Sequence, residues 1–208
     1  MLFISWQSLS DTSLREVYVK VDAMSKKNTP LSYNVRVENE KFQEALSELP
    51  EEILTGDGKP YVMIDFRKGE GVRIVIKNVD SEYATIFSYI EDYVKFSGIS
   101  KVQNPVEFKE IIDKGKVEVH KEDKEFIVVQ AWEPEKEVKD DNYAFFYLDK
   151  KNWVIKKAIY YLDGAPFVEA VNSYKKVGEY YLPYKTVLTS LNENTQDIFY
   201  FKDYKFYD

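Results

Sequence analysis

Trp153-Val-Ile-Lys-Lys-Ala-Ile-Tyr-Tyr-Leu162, Asp163-Gly164, Ala165-Pro-Phe-Val-Glu-Ala-Val-Asn-Ser-Tyr174 reads as a β-hairpin. Two runs rich in β-branched and aromatic residues flank an Asp-Gly pair, which tolerates the left-handed backbone of a two-residue hairpin turn. Such a turn pairs Leu162 with Ala165. Propagated without interruption, that register puts Trp153, Ile155, Ile159 and Tyr161 beside Val168, Ala170 and Tyr174 on one nearly all-apolar face. The other face carries Lys156, Ala158 and Tyr160 beside Phe167, Glu169 and Ser173, a mixture suited to water.

The same pattern extends both ways from this hairpin. Beyond Gly115 no helical period survives, and seven strand-like runs follow: Val117 to His120, Phe126 to Trp132, Tyr143 to Leu148, Trp153 to Leu162, Phe167 to Val177, Tyr180 to Leu188 and Ile198 to Phe206. Their joints are short and rich in Asp, Asn and Gly. Short joints imply antiparallel neighbours, because a parallel pair needs a crossover of about a dozen residues. Upstream, helices and strands alternate. Ser10 to Lys27 is an amphipathic helix with Leu14, Val17, Tyr18, Val21 and Met24 at helical spacing and Ser13-x-x-Glu16 as a capping box. Leu31 to Glu38 alternates as a half-buried strand, Glu40 to Leu49 returns to helical spacing, and Tyr61 to Arg67 and Val72 to Val79 form a further hairpin. Ser81 to Ser97 carries a broad apolar stripe that includes Ile86, Phe87 and Ile90, and a short helix runs from Asn104-Pro105 to Gly115.

The expected fold class is α+β: a curled antiparallel β-sheet, an incomplete β-barrel, covered by helices of the N-terminal half. No linker divides the chain, so residues 1–208 are expected to form one domain. Met1-Leu2-Phe3-Ile4-Ser5-Trp6 is apolar but too short to span a membrane, and residues 1–10 read as the remnant of a leader or a disordered start.

Composition removes several chemistries. There is no cysteine and one histidine, His120, so thiol nucleophiles, Cys-ligated metals and multi-histidine metal sites are excluded from this chain. His120 alternates outward among charges. A formal net charge of −7 argues against general nucleic-acid binding. The Gly-x-Gly triplets read as turns and the acidic clusters as solvated loop charge, so no catalytic residue and no cofactor is expected. Arginine is scarce, and alternation places Arg36 and Arg73 on the surface. Aromatic residues make up 16% of the chain. They fit either a solid core or the wall of an apolar cavity, where each buried methylene of an acyl chain would contribute roughly 0.8 kcal/mol.

Tyr147-Leu-Asp-Lys-Lys-Asn-Trp-Val-Ile-Lys-Lys-Ala-Ile-Tyr-Tyr-Leu-Asp-Gly164, followed by Tyr174-Lys-Lys-Val-Gly-Glu-Tyr-Tyr-Leu-Pro-Tyr-Lys185, resembles the C-terminal half of the LolA-like group of bacterial outer-membrane lipoprotein-sorting proteins. In that group a strand beginning Asp-Lys leads to an Asp-Gly turn, a Tyr-centred strand and a closing aromatic-Leu-Pro. The resemblance implies an incomplete barrel with helical lids over an apolar cavity, a periplasmic or extracytoplasmic location, and a carrier rather than an enzyme. Its partners would be acyl chains or lipoprotein lipid anchors, together with membrane-bound donor and acceptor proteins. By the same resemblance Trp153, Ile155, Ile159, Tyr161, Val168 and Tyr174 would wall the cavity, and Ile86, Phe87 and Ile90 would belong to a lid. Arg36 is the candidate for the arginine that carriers use. The fold also implies an alternative, an envelope-stress regulatory interaction module with a filled core and no transported ligand.

Overall fold

The computed structural model describes residues 13–83, 90, 92–93, 116–132 and 141–207. Helix α1 (Leu14–Asn28) starts on the expected capping box, with the Ser13 side chain accepting from the Glu16 N–H and the Glu16 carboxylate accepting from the Ser13 N–H at 2.8 Å. It ends where the Thr29 N–H bonds the Ser25 carbonyl at 2.9 Å and Pro30 follows. Strand β1 (Ser32–Glu38) alternates buried and half-buried residues as its sequence does. Asn39 caps α2 (Glu40–Ser47) by accepting from the Phe42 N–H, and β2 (Tyr61–Arg67) and β3 (Gly71–Lys77) form the upstream hairpin. Of the helix expected over Ser81 to Ser97, residues 81–83 make a 3-10 turn and residues 90, 92 and 93 are helical. Ile86, Phe87 and the short helix expected before Gly115 lie outside the described residues.

All seven downstream runs are strands: β4 (Lys116–Glu122), β5 (Phe126–Trp132), β6 (Tyr143–Asp149), β7 (Ile155–Leu162), β8 (Ala165–Val177), β9 (Tyr180–Ser190) and β10 (Thr195–Tyr207). They join the first three in one ten-stranded sheet of order β3-β2-β1-β10-β9-β8-β7-β6-β5-β4, antiparallel throughout. Among the described strands only β1 and β10 are paired without being consecutive, so this pair joins an early strand to the last one. The sheet does not close into a barrel. It curls about α1, which touches both β9 and the distant β4.

One face carries the core. Tyr33, Val35 and Val37 of β1 meet Val62, Ile64 and Phe66 of β2 and Phe199 and Phe201 of β10, and the cluster continues through Leu188, Ala170, Ala158 and Phe146 to Ile127 and Val129. From above, Val17 and Val21 of α1, Phe42 and Leu46 of α2, and Ile90 pack into it. Ile90 is 0% exposed. Burying each such side chain contributes about 1.5–3 kcal/mol.

The hairpin at Asp163-Gly164 forms with both residues at positive φ, 51° and 73°, and pairs Leu162 with Ala165 as expected. The faces beyond it differ from the expectation. Tyr161 pairs with Pro166 while Tyr160 pairs with Val168, so Phe167 is an extra residue in β8. Proline has no N–H to give the ladder, and a bulge accommodates it. A second bulge lies in β7, where Leu148 pairs with Ile155 and Tyr147 with Lys157, leaving Lys156 as the extra residue. A one-residue slip exchanges faces. Ala158 and Tyr160 therefore join Val168 and Ala170 on the core face, and Ile159 and Tyr161 lie on the opposite one. There Tyr161 stacks on Tyr143 at 4.5 Å with Phe145 edge-on.

Candidate functional site

The part of the core face that could receive a ligand runs over β6 to β9. Phe146, Ala158, Ala170 and Leu188 stand side by side in one cross-strand row, and Ala144, Tyr160, Val168 and Ser190 in the next. Alanines at the centre make a low floor. Ala158 and Ala170 are only 3% and 5% exposed, so other groups already lie over them. Phe146 and Tyr160 meet edge to face at 6.1 Å and stand as a wall, and burial raises the Tyr160 phenol above its ordinary pKa. Val168 and Tyr160 remain half-buried.

At the end of this floor Ile155 pairs with Leu148 of β6 but lies beyond the β7–β8 ladder, which begins at Lys157. Two side chains of β8 satisfy its carbonyl: the Asn172 amide and the Tyr174 hydroxyl each donate to Ile155 O at 3.0 Å. The Asn172 carbonyl oxygen in turn accepts from the Thr186 hydroxyl at 2.8 Å. Both Asn172 and Thr186 are buried, so this network meets the requirement that interior polar groups be partnered. Burial, with a smaller contribution from Tyr181, drives the Tyr174 phenol far above its ordinary pKa.

Of the residues singled out from the sequence, Ile155, Val168 and Tyr174 lie on this face, and the Tyr174 hydroxyl meets the Ile155 carbonyl while Val168 sits further along β8 beside Tyr160. Trp153 precedes β7 at φ 54° and packs against the core. Ile90 reaches the core from above, whereas Ile159 and Tyr161 are on the outside. Sequence reasoning missed Ala158, Tyr160, Lys156 and Asn172; the signals were Pro166 inside a strand and a lysine doublet interrupting an apolar run.

At the other end of the core face, three elements meet on Asp197 of β10. The Tyr93 hydroxyl donates to Asp197 Oδ2, and Lys41 of α2 reaches the same oxygen at 2.7 Å. The bond to Asp197 raises the Lys41 pKa, and burial, then Asp197, raises that of Tyr93. A polar cleft of about 580 Å³ opens beside this cluster, lined by residues that include Glu38, Lys41, Glu44 and Tyr200. Its lining suits water better than an alkyl chain.

His120 is exposed and rests on Phe145, ring centroids 4.6 Å apart. Arg36 lies over the Tyr61 ring at 5.0 Å beside Glu38, on the face opposite the core. Among the described residues no group of three His, Cys, Asp or Glu side chains could hold a metal ion, and no helix is long and apolar enough to cross a membrane.

No protein-family profile matches the sequence, and a comparison with curated proteins finds no match. Among solved structures, the chain is similar to a domain from Vibrio parahaemolyticus provisionally described as an outer-membrane lipoprotein-sorting protein, with a TM-score of 0.57, 11% identity and 93% of each chain covered. It is also similar to a DUF1329 family protein from Desulfovibrio piger, with a TM-score of 0.51, 10% identity and 93% of each chain covered. Sequence identity this low speaks for architecture alone. The chain thus has the LolA-like fold, an open, curled antiparallel sheet with helices on its inner side, over nearly its whole length.

Proposed function

We propose that this protein is a non-enzymatic carrier or binding protein for acyl chains, working outside the cytoplasm and handing its ligand to a membrane-bound partner. The observation that supports this most is the core face of β6 to β9. Its alanine floor is bordered by Phe146, Tyr160, Val168 and Ile155, and the LolA-like fold sets helices above it. An alkyl chain laid on that floor would replace contacts now made by the side chains that cover Ala158 and Ala170. No proton transfer or nucleophile is needed, because the driving force is transfer of methylenes out of water at roughly 0.8 kcal/mol each.

The test is to purify the protein without detergent and weigh the intact complex by native mass spectrometry. The carrier reading expects co-purified acyl species, or uptake of added oleyl alcohol at one-to-one stoichiometry. Absence of both removes it. A specific observation favours the alternative of a regulatory interaction module with a filled interior: α1, α2 and Ile90 already form one continuous apolar cluster with the sheet. That alternative expects neither bound acyl species nor uptake.

A further inference from the structure

Three of the lysines before and at the start of β7 have different surroundings. Lys150 reaches Glu122, and Lys157, on the outer face, pairs with Glu169. Lys156 does neither. As the extra residue of the β7 bulge it sits on the core side beside Asn172, and its ammonium lies over two tyrosine rings, 5.1 Å from the centroid of Tyr174 and 5.7 Å from that of Tyr181. Those rings stack on one another at 5.5 Å, and Lys156 Nζ is 3.4 Å from the Tyr181 hydroxyl. Among the described residues no carboxylate pairs with it. Lys176 stands directly opposite Tyr181 on β8 and adds a second positive charge at this end of the face.

A half-buried cation on an apolar face, provided with ring faces and hydroxyls but no counter-ion, is electrostatically incomplete. The alanine floor starts two residues further along β7 at Ala158, about 7 Å along an extended strand. We propose that Lys156, with the Tyr181 hydroxyl, binds the anionic headgroup of an acyl ligand, a carboxylate or a phosphate, whose alkyl chain then runs over Ala158 and Ala170. This inference rests on the carrier reading and narrows it to acidic lipids. The bulge makes the site possible, because in a regular strand the alternation would not turn two successive residues, Ile155 and Lys156, toward the same side.

The test measures displacement of the neutral dye Nile red by oleate, by oleoyl lysophosphatidate and by oleyl alcohol, in the wild type, Lys156→Met and Lys156→Arg. Methionine keeps the apolar stem and removes the charge, so oleyl alcohol reports whether the fold and floor survive. The expected result is a loss of about tenfold to a hundredfold in affinity for the anionic ligands in Lys156→Met, no change for oleyl alcohol, and recovery in Lys156→Arg. The anion that binds tighter in the wild type names the source of the headgroup. Equal affinity for oleate and oleyl alcohol in the wild type, or a Lys156→Met protein that loses both together, overturns the headgroup site while leaving the carrier standing. Failure of every ligand to displace the dye from the wild type sinks both readings.

Discussion

The Ile155 carbonyl shows how a single residue governs the local fold. Ile155 pairs with Leu148 of β6 but lies beyond the last β7–β8 pair, Lys157 with Val171, and an unpaired carbonyl there would cost on the order of 1–3 kcal/mol. Asn172 and Tyr174 supply the missing donors, which gives Tyr174 a structural duty besides any contact with ligand. Tyr174→Phe is expected to lower stability by about 1 kcal/mol, since Asn172 still reaches the same oxygen. The measurement is the shift of the urea midpoint at unchanged slope, and an unaltered midpoint would show that the tyrosine hydroxyl is dispensable there. Little of this was legible in the sequence. The types Asn, Tyr and Lys in β7 and β8 are visible, but which of them faces inward depends on the position of a bulge whose trace is the Lys156-Lys157 doublet in an apolar run.

Among the elements, α1 is the piece most completely written in the sequence. Its apolar spacing and its capping box are local and both appear in the folded chain, where Thr29 and Pro30 end it. Ser13→Ala removes the side chain that accepts from the Glu16 N–H, at an expected cost of about 1 kcal/mol, read as a lower melting temperature. Because α1 also carries Val17 and Val21 into the core, a Val21→Ala variant should cost at least as much, and the comparison separates helix initiation from packing. The strands were equally legible as strands. Their faces were not, since Pro166 and the Lys156 bulge each slip the pairing by one residue, and a slip of one inverts every side chain beyond it. Ile159 and Tyr161 were misplaced for that reason, and Ala158 and Tyr160 were overlooked for the same one.

The molecule as a whole carries an unusual load of interior phenols. Tyr33, Tyr160 and Tyr174 have pKa values raised mainly by burial, and Tyr93 by burial and then by Asp197. Above pH 10, near the ordinary tyrosine value, the unfolded chain releases these protons while the folded one keeps them. The unfolded state then binds fewer protons, so stability falls as pH rises. Lys41 acts in the same direction: its raised pKa adds stability that is present below the ordinary lysine value and lost as pH climbs through the folded one. The prediction is a stability plateau that declines from about pH 10 upward, followed by urea titration at several pH values. The decline should be shallower in Tyr174→Phe, and a slope identical to the wild type's would mean that Tyr174 ionises as freely in the native state as in the unfolded one.

Local chemistry was enough to specify α1 and α2, the ten strands as strands, the antiparallel pairing of those joined by short turns and the absence of thiol or multi-histidine chemistry, because caps, turns and apolar periods act over a few residues. Tertiary structure alone decided the pairing of β1 with β10, the side of the sheet on which each aromatic lies, and the meeting of Lys156 with Tyr174 and Tyr181. Those outcomes depend on register and on contacts between strands far apart in the chain. A bulge of one residue changes them without changing the composition or periodicity of the segments on either side.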